Sequence, residues 1–181
     1  TIWQLAGDRL PEATHEQILA TGFNRNHMIN GEGGRIPEEN RVDYVMDMAE
    51  TMGTVWLGLT LNCCRCHDHK FDPLKQREYY QFNAFFNQTP VDGGGGNAQT
   101  APVLAIPNEA QKNAIAEQET ALKAMKDPKR IEEAKKALNQ TRGRIPKVMV
   151  MKDREKHRPT YILKTGLYDQ RGEEVEAGVP E

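Results

Sequence analysis

Apolar residues are unevenly spread along this chain. Over the first ninety positions they recur at helical spacing, and beyond that they thin into a polar tract. Ile2, Leu5, Ala6 and Leu10 form a weak helical pattern that Pro11–Thr14 interrupts. Thr14 with Gln17 three residues on has the spacing of a capping box, and Ile18, Leu19 and Phe23 supply a buried stripe ending near Gly22. Residues 24–36 read as loop. Pro37 suits a first helical turn, and Glu38 and Glu39 suit its positive end. Val42, Val45, Met46, Ala49 and Met52 continue as a core-facing stripe that Gly53-Thr54 ends or kinks. Residues 55–61 (Val-Trp-Leu-Gly-Leu-Thr-Leu) are apolar on all sides and are expected to form the most buried segment, a helix. Asp72 as N-cap and Pro73 at the first position predict a further helix, with Tyr79, Phe82, Phe85 and Phe86 as its core face and an end near Asn87.

The second half changes character. Gly93–Gly96 is a four-glycine run with the composition of a flexible link, and Pro102–Pro107 reads as extended. Residues 108–141 are rich in Ala, Lys and Glu, with apolar spots at Ile115, Leu122, Met125, Ile131, Ala134 and Leu138. Asp127-Pro128 divides them into a helical hairpin. Residues 147–151 and 160–163 read as strands, the second followed by a turn at 169–172. The fold class is therefore mainly α: a helical unit, a polar helical hairpin and a short β segment. The segments divide at 1–90, 91–144 and 145–181.

Composition narrows the functional classes. The net charge of −2 gives no global field for nucleic acid. No apolar run approaches the roughly 18 residues of a membrane span. The chain starts without Met or a signal sequence and stops in a loop-like stretch, so we expect a piece of a longer protein with further domains.

Residues 60–70 hold all three cysteines and two of the five histidines. Cys63, Cys66 and His67 read as C-x-x-C-H, the spacing that attaches haem c. Cysteines three apart on one turn reach both vinyl groups, and the next residue offers an imidazole to the iron. Cys64 lies outside that pattern, as an inert buried residue or a free thiol. The same spacing also admits zinc or another divalent metal on Cys63, Cys66 and His67 or His69, a dithiol redox pair, or structural cysteines without a cofactor. His69 is expected to hydrogen-bond to Asp68 or Asp72. His27 and Met28, on a glycine-containing loop, are the candidates for a distal ligand of His67-bound iron. Met46, Met48 and Met52 read as core. Glu32, Glu38 and Glu39 near Arg35 and Arg41 read as capping and solvated charge, and Asn30–Gly34 matches no dinucleotide or phosphate-loop fingerprint.

Several strings together resemble a known family: 5–8 (LAGD), 21–28 (TGFNRNHM), 32–34 (EGG), 54–61 (TVWLGLTL), 63–73 (CCRCHDHKFDP), 78–80 (EYY) and 85–87 (FFN). They are similar to the C-terminal part of the DUF1549 domain, the planctomycete-type surface cytochrome domain. Residues 148–151 and 157–169 resemble the opening of the DUF1553 domain that commonly follows it. The chain departs from the family pattern at Cys64 and at Asn24, where a histidine is expected. The resemblance implies an exported protein of the periplasm or cell surface that carries haem c on Cys63, Cys66 and His67. It implies an electron-transfer module with an unnamed redox partner. Two readings from other classes stand beside it: a metal-dependent hydrolytic domain using His67, His69, Asp68 and Asp72, and a structural interaction module with buried cysteines.

Overall fold

A computed structural model describes residues 1–94 and 99–181. Half of the four-glycine run, Gly95 and Gly96, lies outside the described residues. Of the other half, Gly93 is buried and its carbonyl accepts from Asn40 Nδ2 at 3.1 Å. The protein is mainly α-helical with two small two-stranded sheets.

The chain forms two compact units, one of residues 1–102 with 149–181 and the other of residues 103–148. The first is built around α3, Pro37–Met52, which starts on Pro37 as its pattern predicts. Two core clusters meet on α3. Tyr44, Val45, Met48, Ala49 and Met52 pack with Phe86, Val91 and Met151. Met46, from another face, packs with Leu61, Cys64, Leu74, Tyr79, Tyr80, Leu163 and Val175. The methionines at 46, 48 and 52 are thus core residues, as read from their spacing. Before α3 come α1, Ile2–Ala6, and α2, His15–Ala20, whose Thr14–Gln17 capping box is present with both bonds.

Two expectations are corrected in the stretch after α3. Residues 53–57 form one wide π-helical turn, closed by Gly58 at φ 68 with its N–H on the Gly53 carbonyl. The apolar stretch that follows Gly53 is not the most buried segment: Val55 and Leu57 are each 52% exposed, Leu59 packs against the core half-buried, and of the stretch's large side chains only Leu61 is buried. The wide turn breaks the register that would have placed these side chains on the core face of α3. The helix α4 spans Gln76–Phe86, so Asp72 and Pro73 do not start it. Lys75 is the N-cap residue, and its backbone N–H donates to Glu78 Oε2 at 2.8 Å. Tyr79 and Phe86 face the core as expected, whereas Phe85 is half exposed.

Residues 160–175 return to the first unit. The strand β3, Thr160–Leu163, pairs antiparallel with β4, Arg171–Val175, with an irregularity between Tyr161 and Leu163, and both strands pack on α4. Here the stretch read as the opening of a following domain contributes Leu163 and Val175 to the core around Cys64.

The second unit is the expected hairpin. Its helices are α5, Glu109–Ala124, and α6, Pro128–Gly143, with Asp127 Oδ1 accepting from Lys129 N–H at the second start. The strands β1, Val103–Ala105, and β2, Lys147–Met149, pair with each other. Among the described residues no helix is long and apolar enough to cross a membrane.

Candidate functional site

Residues 62–65 form a 3-10 turn with Cys66 at its C-cap. Side chains three apart eclipse on such a turn. Cys63 and Cys66 therefore share an outward side and are exposed, while Cys64 points inward and is fully buried. None of the three is in a disulfide. Cys64 Sγ lies 3.7 Å from the Leu74 carbonyl, and burial pushes its thiol pKa up.

The two histidines of the stretch hold their protons on opposite nitrogens. His67 Nδ1 is 2.7 Å from the Asp68 carbonyl, so Nδ1 carries the proton and Nε2 keeps its lone pair. An imidazole bound that way has the tautomer a metal ligand needs. His69 is used differently. Its Nδ1 accepts from the backbone N–H of Asp72 at 2.8 Å and of Phe71 at 3.3 Å, which leaves the proton on Nε2. Neither nitrogen of His69 then offers a free lone pair. The partner expected at Asp72 is thus met by its backbone N–H; its carboxylate lies 3.3 Å from Nδ1 but makes no hydrogen bond to an accepting nitrogen. His69 ties the 68–74 loop closed, helped by its N–H on the Leu74 carbonyl at 2.8 Å.

The motif is held by groups far away in sequence. Arg65 forms an ion pair with Asp43 on α3 at 2.8 Å and donates to the Gly166 carbonyl. Burial works against the Arg65 charge, but the Asp43 carboxylate outweighs it and raises the pKa. The Arg65 carbonyl accepts from Tyr80 Oη at 2.8 Å and from Gln76 Nε2 at 3.2 Å. Asp68 Oδ1 accepts the Gln76 backbone N–H at 2.8 Å. The Cys66 thiol donates to the Thr165 carbonyl at 3.3 Å. Thr165 sits at φ 52, unusual for a β-branched residue, and Gly166 at φ 74 packs directly under the Arg65 side chain. Asp43 was not singled out from the sequence, and Tyr80, Thr165 and Gly166 lay only within stretches quoted for the resemblance, with no role at the motif. Only the Thr-Gly pair carries a local signal, that of a turn.

The two distal candidates are placed differently. His27 is buried, stacks on Tyr44 with ring centroids 4.9 Å apart, and donates from Nδ1 to the Met28 carbonyl at 2.7 Å. Its Nε2 is buried without a partner. Desolvation lowers its pKa. Met28 is exposed, and its backbone N–H is anchored on Asp47 Oδ2 at 2.9 Å. Asp47 is one turn along α3 from Asp43, which holds Arg65, so loop 27–28 and the motif attach to the same side of α3. No group of three or more His, Cys, Asp or Glu side chains converges to hold a metal ion among the described residues.

Cys63 and Cys66 are free and exposed, and His67, bonded through Nδ1 to the Asp68 carbonyl, has Nε2 unclaimed; two thiols and an imidazole are the donor types that haem c uses. No curated protein and no solved structure matches the chain. One family model does, over residues 1–91: PSCyt2, described as a protein of unknown function (DUF1549). That match spans half of the chain and includes α3, α4 and the whole cysteine motif; the protein belongs to the DUF1549 family.

Proposed function

We propose that this chain is a c-type haem-binding module that passes electrons within an exported cell-envelope protein. The observation that carries the reading is the sorting of side chains on the 62–65 turn: Cys63 and Cys66 outward and unpaired, Cys64 inward, and His67 with Nε2 free. Cys63 and Cys66 would hold the porphyrin by thioethers and His67 would ligate the iron, leaving one-electron chemistry to the haem. The chain's own part is positioning. The Asp68 carbonyl sets the His67 tautomer, and Arg65, pinned to Asp43 and Gly166, keeps the turn rigid. The Cys66 thiol must leave the Thr165 carbonyl to form its thioether. Exposed apolar side chains on both sides of the motif in sequence, Val55 and Leu57 before it and Phe71 (83% exposed) after it, support a large apolar group docking in this part of the chain. Met28 is the better-exposed candidate for the distal position.

Expression of the chain behind an export signal, with a c-type maturation system, tests the proposal. The expected product keeps its Soret band after acid-acetone extraction, and Cys63→Ala and Cys66→Ala each lower covalent haem while Cys64→Ala does not. Purification of zinc-loaded protein with no Soret band, under conditions that mature a control cytochrome, would overturn it.

A further inference from the structure

The first unit has a large cavity away from the cysteine motif. It holds about 480 Å³ between α1, the end of α3, α4 and residues 151–157, and none of Cys63, Cys66 or His67 lines it. Leu5, Met52, Phe82, Phe85, Phe86 and Met151 make most of its wall apolar. Its aromatic side is a small cluster in which Phe82 stands edge-on to Phe85 and Phe86, with ring centroids 6.3 and 5.5 Å away. A concave site of this size, mostly apolar with a few polar groups, is the usual form of a small-molecule pocket.

Most of the polar groups around it are already engaged. Gln88 is held by backbone at both ends of its amide: Nε2 donates to the Arg158 carbonyl at 3.0 Å and the Ala84 carbonyl at 3.3 Å, and Oε1 accepts the Arg158 N–H at 3.0 Å. Arg9 and Asp153 neutralise each other in an exposed ion pair at 3.0 Å. His157 is an exposed lining residue. Asp8 is different. It lines the cavity half-buried and forms no ion pair among the described residues. Burial is the main influence on its carboxyl and pushes the pKa up; its own backbone N–H opposes this, and the repulsion of Asp153 exceeds the attraction of Arg9. The 3-10 turn Gly7–Arg9 carries Asp8, and Gly7 fixes that turn against α2, since a Cβ on Gly7 would overlap the Gln17 carbonyl. One carboxylate without a cation is thus held at an apolar, aromatic cavity.

We infer that this cavity binds an organic ammonium ion, its charge on the Asp8 carboxylate and its apolar group among Phe82, Phe85 and Phe86. An ammonium N–H donating to a carboxylate makes a charge-assisted bond, stronger than one between neutral groups. Aromatic faces attract a cation and give no such support to an anion. The apolar wall selects against a bare inorganic cation, and the volume suits a ligand with one ring or an alkyl chain of similar size. The inference does not depend on haem, since the cavity and the cysteine motif share none of the proposed ligand residues.

Titration of the haem-free 181-residue chain, carbon-labelled at its methionine methyls and followed by NMR at constant ionic strength, separates these requirements. Met52 and Met151 line the cavity and report binding there, while the exposed Met28 lies outside it. Phenylethylammonium supplies charge and ring, phenylethanol the ring alone, and phenylpropionate the ring with the opposite charge. Phenylethylammonium is expected to shift the Met52 and Met151 methyls but not Met28, and to bind at least about 10-fold more tightly than phenylethanol, with phenylpropionate weaker still. Asp8→Asn should weaken phenylethylammonium about 10-fold and leave phenylethanol unchanged, whereas Phe85→Ala should weaken both. Equal affinities of the parent for phenylethylammonium and phenylethanol, no shift at Met52 and Met151, or ammonium binding unchanged by Asp8→Asn would each overturn the inference, and the first two comparisons need no variant to fold.

Discussion

Cys63, Cys64 and Cys66 are chemically identical, and one turn of chain sorts them by exposure. The prediction is direct: iodoacetamide should modify Cys63 and Cys66 rapidly in the haem-free native protein and Cys64 only after unfolding. Exposure and thiolate fraction both govern alkylation, and burial works against Cys64 on both counts. Mass-spectrometric mapping showing equal rates at all three would refute the sorting. A second residue-level prediction concerns pH. His27 is buried against Tyr44 with Arg25 and Asp47 nearby, and desolvation holds its folded pKa below the ordinary value of 6.5. The unfolded chain then binds a proton at this site that the folded chain does not. Stability should be fully present above about pH 6.5 and should fall as pH drops from there toward the folded pKa. His27→Gln should flatten that part of the profile in urea melts measured at stepped pH. The C-x-x-C-H motif and the Thr14–Gln17 cap were legible because their signals are local spacings. The burial of Arg25 was not. Its guanidinium reaches the Val150 carbonyl at 2.9 Å and Thr100 Oγ1 at 3.2 Å, and nothing near residue 25 announces partners so far along the chain.

At the scale of elements, periodicity identified α3, α4 and the hairpin helices but misplaced two boundaries. Residues 53–61 are apolar enough for a core helix, yet the π turn puts Val55 and Leu57 outside. Composition reports what a side chain prefers, while the register of the turn decides what it meets. Asp72-Pro73 has the form of a helix start, but the Asp72 N–H is claimed by His69, and Glu78 caps the helix at Lys75, three residues further along. That competition is visible only once the loop is folded. Gly53 shows why the π turn is tolerated. A Cβ there would lie 2.5 Å from Leu61 Cδ1, and Leu61 is itself in the core. Gly53→Ala should therefore destabilise the protein by about 1–3 kcal/mol through overpacking. Chemical denaturation checks this, and a Leu61→Ala background should relieve part of the loss because the clashing methyls are gone.

The whole molecule raises the question of what the hairpin contributes. Its apolar positions were read correctly, but they form a thin seam: among the described side chains of α5 and α6 only Leu138 is buried. Surface pairs such as Arg142–Glu119 at 2.7 Å add little to stability. The first unit, by contrast, has two core clusters of its own and draws on residues from both sides of the hairpin. Its chain ends at the junction are adjacent, since the Val150 N–H donates to the Pro102 carbonyl at 3.1 Å. Replacing residues 103–148 with a short glycine linker should leave the first unit folded. The expected result is an unchanged near-ultraviolet signal from Trp3, Trp56 and the tyrosines, with a cooperative melt within about 5 °C of the parent. The closure entropy of the replaced loop changes only slowly with its length, so shortening it brings no large penalty. Loss of the cooperative transition would mean that the hairpin belongs to the same folding unit as the cysteine motif. Retention would show that the first unit holds its fold without the hairpin, and would make the shortened chain the simpler protein in which to test for haem attachment.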